Sequence, residues 1–138
     1  MSKGAYCLII CLNRNKSVKI GALGTLFFRK GYYCYVGSAM NNLEKRIERH
    51  KSKTKKIHWH IDYFLRYGRI TQVVKLISNK KIECLLSRSI NRISDGFVQG
   101  FGCSDCNCNS HLYFFKKDPS KISVHLKKTF IKTHIIIS

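Results

Sequence analysis

Acidic side chains are what this sequence has least of for its length. Seven Asp and Glu stand against 26 Lys and Arg, a formal net charge of +19. The seven include no cluster of paired acids, which disfavours chemistry built on two carboxylate-held cations. Long apolar runs are missing too: none reaches the ~20 residues that a membrane span requires. No charged n-region, apolar h-region and cleavage site mark a secretory signal. The expectation is a soluble, cytoplasmic protein with no membrane partner. Proline occurs once, and no internal repeat, low-complexity segment or interdomain linker is visible. A chain of 138 residues is then most simply one domain, 1–138. At that size folding buries roughly two-thirds of the surface of the unfolded chain. Hydrophobic content of 44% argues against disorder.

Positive charge is what dominates. Such an excess creates a field that attracts polyanions, nucleic acid above all. The seven cysteines are many for a chain without an export signal, and their odd number argues against a secreted disulfide framework. Cys7, Cys11, Cys34 and Cys84 lie in apolar segments and read as small buried hydrophobes. Cys103, Cys106 and Cys108 are clustered.

The run GAYCLIICL (4–12) predicts a buried strand, and 17–23 the return strand of a hairpin. Residues 24–37 read as a short strand, a turn at RKG and a strand from Tyr32 to Val36. SAMNN (38–42) supplies cap-type residues for a helix from Leu43, with Leu43, Ile47 and His50 on one face. A second helix is expected over 58–68, a strand over 69–77, and an amphipathic helix over 79–93 with Ile82, Leu85, Leu86 and Ile90 inward. Residues 94–111 form a long Cys-rich loop, of a length usually functional or mobile. A short strand (111–115) follows, then a helix opened by Pro119 and a tail, THIIIS, within 118–138. The tail is compatible with an edge strand, docking on the core or a dimer contact. The fold class expected is α/β of the α+β type: a small mixed, mainly antiparallel sheet flanked by helices.

Arg46 and His50 are four apart on the first helix, about 40° apart around its axis and roughly 6 Å along it. Both can reach one cleft. Arg suits bidentate phosphate recognition, and His can transfer a proton near neutrality. Tyr6 on the first strand and Tyr35 on a later one can share their face if those strands are neighbours. Glu83 stands alone among apolar and basic residues, and hard cations such as Mg²⁺ prefer carboxylate oxygen. Each residue has a plainer reading as well. The tyrosines suit a core, His50 a helix C-terminus, and Glu83 a pairing with Lys80 or Arg88.

Taken together and in order, these residues resemble the GIY-YIG nuclease superfamily. Its pattern is Gly-x-Tyr, then Tyr-x-Gly, Arg and His on a helix, a metal-binding Glu on a later helix, and an Asn. Tyr6, Tyr35 with Gly37, Arg46, His50 and Glu83 match it in order. The string YVGSA … RIERH … HWHIDYFL … GCSDCNCNSHL is similar to an uncharacterised archaeal and bacterial branch, stand-alone or fused to a base-excision glycosylase. Ala5 replaces the family Ile, which touches packing rather than chemistry. The family Asn falls on Asn91, or on Asn107 or Asn109 in the loop. The resemblance implies a Mg²⁺- or Mn²⁺-dependent DNA endonuclease in repair or recombination, with one ion on Glu83. It further implies that Tyr6 orients or deprotonates water, Arg46 neutralises phosphate, and Tyr35 and His50 position groups or shuttle a proton. The alternative is a catalytically silent module of the same fold that binds DNA or RNA.

Two further clusters stand out. In HWHID, His58 or His60 could join the site; the plainer reading has Trp59 as a core anchor and Asp62 pairing with His58 on the surface. Cys103, Cys106, Cys108 and His111 offer three thiolates and an imidazole within nine residues, ligand types that suit Zn²⁺. Free thiols and a Cys103–Cys106 disulfide are the alternatives, and Ser104 and Asp105 could border the cleft.

Overall fold

Every residue of the first apolar run except one is buried, because the strand it forms lies between two neighbours and is covered on both faces. The computed structural model describes residues 2–103 and 106–138. In it β1 (Gly4–Leu12) pairs antiparallel with β4 (Gly31–Ala39) on one side and with β5 (Arg69–Ile77) on the other. Outside β4 lie β7 (Leu112–Phe115) and the two-residue β6 (Gly96–Phe97). Outside β5 lies β8 (Ile136–Ile137). The six-stranded order is β6-β7-β4-β1-β5-β8, and all its pairings are antiparallel.

Successive residues of a strand point to opposite faces, so β1 feeds two cores. Tyr6, Leu8, Ile10 and Leu12 pack with Leu43 and Ile47 of α1 (Leu43–Lys51), Ile61 and Phe64 of α2 (His60–Phe64), and Phe28. Ala5, Cys7 and Ile9 pack with Ile82, with Leu86 and Ile90 of α3 (Glu83–Ile93), and with Ile122 and Leu126 of α4 (Ile122–Thr129). The result is a small α+β fold whose sheet, expected to be mainly antiparallel, is wholly so and is flanked by helices.

Several boundaries differ. Residues 17–23 do not return along β1. Gly21 and Gly24 adopt positive φ around a 3-10 turn (Gly21–Leu23), and β2 (Lys16–Lys19) pairs with β3 (Thr25–Phe28) instead. The helix expected over 58–68 is confined to α2: the Asp62 carboxylate accepts the backbone N–H groups of His58 and Trp59 and holds both outside it, and residues 65–67 close as a turn on the Phe64 carbonyl. Leu85 is 46% exposed; only Leu86 and Ile90 of that helix continue the buried stripe begun by Ile82. Pro119 sits before α4 rather than in its first turn, accepting from the Ile122 N–H. The tail supplies the edge strand β8, where Lys75 and Ser138 exchange backbone hydrogen bonds.

Candidate active site

The antiparallel register of β1 and β4 sets Tyr6 opposite Gly37 and Leu8 opposite Tyr35. Tyr6 and Tyr35 are therefore diagonal neighbours on one face, with ring centroids 6.4 Å apart. Gly37 is needed where it stands, since a Cβ there would run into the ring and hydroxyl of Tyr6.

Directly after β4, the Asn42 side chain accepts from the Lys45 N–H at 3.1 Å and starts α1. Leu43, Ile47 and His50 form the buried stripe of that helix, so the core itself carries His50 to the tyrosines. Tyr6 Oη lies 2.6 Å from His50 Nε2. The other ring nitrogen, Nδ1, is buried and has no hydrogen-bond partner among the described residues. One turn earlier, Arg46 Nη1 donates to the Ser38 carbonyl at 3.0 Å, and its guanidinium lies 4.5 Å from the Trp59 ring centroid. Arg49 stacks on the same ring at 4.4 Å and forms a fork to both carboxylate oxygens of Asp62. Trp59 is thus more than a core anchor: it orders both guanidiniums. Asp62 is buried and does not pair with the His58 side chain on the surface.

Glu83 opens α3 on the facing side, its side chain about one-third exposed. Its Oε2 lies 3.8 Å from His111 Nδ1, and it makes no ion pair with Lys80 or Arg88 among the described residues. His60 Nδ1 accepts the Gly102 N–H at 2.9 Å and ties α2 to the Cys-rich loop. Tyr6, Tyr35, Gly37, Arg46, His50, His58, His60 and Glu83 consequently line one cleft of about 490 Å³. Trp59, Lys81 and Cys84 join them there. Glu83 is the one carboxylate among the described lining residues.

Asn91 is not in this cleft. It lies two turns down α3 in a separate hollow, with Asn107 and Asn109, so none of the three candidates for the Asn position reaches the tyrosines. Ser104 and Asp105 fall outside the described residues.

Burial governs the ionisable groups. It pushes the Tyr6 hydroxyl well above its ordinary range, against the opposing pull of Arg46. It does the same to Tyr35, reinforced by Tyr6 and Glu83. Burial also lowers His50 to about 4, with Asp62 opposing and Lys55, Arg46 and Arg49 adding to the fall. The phenol and imidazole of the Tyr6–His50 pair are therefore both uncharged near neutrality.

A second cluster adjoins the cleft. Sγ of Cys84, Cys106 and Cys108 and a ring nitrogen of His111 all lie within 4.8 Å of one another, and together they could hold a metal ion. The set corrects the one expected from the loop alone. Cys84 enters from α3, where its apolar neighbours had masked it as a core residue. Cys103 leaves, its Sγ turned back onto the Phe101 carbonyl at 3.4 Å. All seven cysteines are free thiols, so Cys103 and Cys106 form no disulfide.

The fold and cleft define a small α+β domain with a single-carboxylate, arginine-bearing site. The chain matches the family model described as Domain of unknown function DUF123 over residues 5–132, and it belongs to that family. No curated protein and no solved structure matches it.

Proposed function

We propose that the protein is a GIY-YIG-type endonuclease that hydrolyses phosphodiester bonds in DNA with the help of one divalent cation. The observation that carries this reading is the 2.6 Å hydrogen bond between Tyr6 and an uncharged His50, in the cleft that also holds Arg46 and Glu83. With hydrogen on Nδ1, the His50 Nε2 lone pair accepts the Tyr6 hydroxyl. A water in the cleft then gives its proton to the Tyr6 oxygen as Tyr6 passes its own to His50. The water oxygen bonds to phosphorus and the P–O3′ bond breaks, leaving a 5′-phosphate and, after protonation from solvent, a 3′-hydroxyl. The phosphate anion itself reduces the cost of an imidazolium at His50. Arg46, held by Ser38 and Trp59, meets the charge that grows on the phosphoryl oxygens.

Glu83 offers a partly open, hard oxygen donor with no Lys or Arg ion pair among the described residues, its contact being His111 Nδ1 at 3.8 Å, which fits Mg²⁺ or Mn²⁺ completed by water. Such an ion supplies Lewis-acid stabilisation of the leaving oxygen. A neighbouring concavity lined by Lys51, Lys53, Lys55, Arg66 and Arg69 extends the basic surface and suits a polyanion track.

The test is cleavage of labelled duplex, single-stranded, flap and bubble DNA with Mg²⁺ or Mn²⁺, with binding measured in parallel. Wild type should cut. Arg46→Ala should lose on the order of 10²–10³ in rate. Glu83→Ala should lose cutting while keeping salt-sensitive binding. Binding without cutting on every substrate would replace this reading with the silent nucleic-acid-binding module.

A further inference from the structure

We propose that Cys84, Cys106, Cys108 and His111 form a structural Zn²⁺ site that fastens the first turn of α3 to the Cys-rich loop. The site is separate from the Glu83 cation, and it stands whether or not the cleft cuts DNA.

Four ligand atoms from one helix, one loop and the entry to β7 meet within 4.8 Å. A tetrahedral centre with Zn–S of about 2.3 Å and Zn–N of about 2.0 Å sets its ligand atoms roughly 3.5–3.8 Å apart. The cluster has to tighten by only about an ångström to reach that geometry. Thiolate sulfur favours Zn²⁺ over the hard cations suited to Glu83.

His111 is already turned for the task. Its Nδ1 lies 3.3 Å from the Val36 carbonyl, which can only accept, so Nδ1 carries the hydrogen. The Nε2 lone pair then faces Cys106 Sγ at 3.1 Å. A backbone carbonyl that fixes the tautomer of a buried imidazole is the usual outer support of a histidine ligand. His111 is itself held between strands, its backbone carbonyl accepting from the Val36 N–H and its N–H donating to Phe101.

The surroundings fit the charge. Three thiolates and a neutral imidazole around Zn²⁺ leave one net negative charge, and Arg88 lines the adjoining hollow with Cys84 and Cys108. Beside it, Ser87 bonds to Tyr113 and to the Ser110 carbonyl, a buried polar network that already pins α3 to the same loop. Four protein ligands close the coordination sphere, which makes the site structural rather than catalytic. Its consequence for the cleft is positional. Glu83 is bonded to Cys84 in the chain and lies 3.8 Å from His111, so both of its supports belong to the cluster.

The experiment measures metal content of the 138-residue chain made with added Zn²⁺ and freed of loose metal by desalting. Wild type and Cys103→Ser should each carry about one zinc per chain, and Cys84→Ser less than about a tenth of that. Cobalt titrated into the metal-free wild type should give the strong visible and thiolate charge-transfer bands of a tetrahedral thiolate site. That reading does not depend on whether the cysteine variants fold. Wild type without zinc and without the cobalt bands would overturn the proposal. So would zinc lost from Cys103→Ser but kept by Cys84→Ser, or iron with an iron–sulfur spectrum in place of zinc.

Discussion

The two walls of the cleft are held in place by different physics. Tyr6, Tyr35 and Gly37 sit on the central strands, and Arg46 and His50 ride on a helix whose buried stripe runs into the core. Their positions follow from sheet register and apolar burial, so they shift only if the domain does. Glu83 and Cys106 stand on the first turn of α3 and on the loop beyond Gly102. Ile82, Leu86 and Ile90 anchor α3 in the core as well, but the loop part of that wall is tied by the His60–Gly102 bond, the Ser87–Tyr113–Ser110 network and the thiol cluster. A packed core fixes geometry permanently, whereas polar and metal ties can be loaded and released. The first wall should therefore fail with global unfolding, and the loop part of the second can loosen by itself.

The sharpest way to break that contrast is Gly37→Ala. The added methyl has to displace the Tyr6 ring, which is 1% exposed and part of the core. Overpacking of this kind costs about 3 kcal/mol, toward the upper end of the usual range. Urea unfolding should show the loss, and the Tyr6–His50 bond should be broken even in the fraction that folds. A variant as stable as wild type would mean that the first wall yields as easily as the second.

Next in size is the acid limb of stability. His50 is 2% exposed and its folded value is about 4, below the ordinary value of 6.5. Between those values the unfolded chain binds a proton that the folded chain refuses, so stability falls as pH is lowered from 6.5 toward 4. Above 6.5 the contribution is flat. The depressed value corresponds to a loss on the order of 2–3 kcal/mol. Denaturant titrations of wild type and His50→Gln at pH 7 and pH 4.5 isolate it, because Gln stays uncharged throughout. Equal pH slopes for the two proteins would show that His50 is not shielded as the first wall requires.

This difference between the walls also explains what the sequence revealed. The continuous apolar run of β1, the Gly-bounded aromatic strand of β4 and the four-residue spacing of Arg46 and His50 are local patterns, and they led to the right strands and helix face. The start of α2 was hidden because it depends on where the Asp62 carboxylate turns, toward the N–H groups of His58 and Trp59. Cys84 was hidden for a different reason. Its partners lie far along the chain, and only the packing of α3 against the approach to β7 brings them together. Leu85 fits a helical stripe on paper, but the sheet accepts only Ile82, Leu86 and Ile90 from that segment. The edge strand β8 has two residues, too few for any periodicity to announce it.

The smallest expected effect tests the second wall with the same chemical change. Gly102 has φ +73, a conformation that disfavours a side chain by about 1–2 kcal/mol. A Cβ there would approach His111 Cβ at 3.3 Å, a tight contact, and Tyr35 Cε1 at 3.5 Å, an ordinary one, far milder than the clash at Gly37. Gly102→Ala should therefore cost about 1–2 kcal/mol. The cost should appear as faster hydrogen exchange at the Gly102 and Cys103 amides, with the β1 amides unchanged. Gly102→Asn should cost less, since Asn tolerates the left-handed region better than Ala. If the β1 amides accelerate together with the loop, the two walls unfold as one unit. Loosening confined to the loop would leave Tyr6, Arg46 and His50 in place while Glu83, still carried by α3, loses its contact with His111, so the cleft would change without unfolding of the domain.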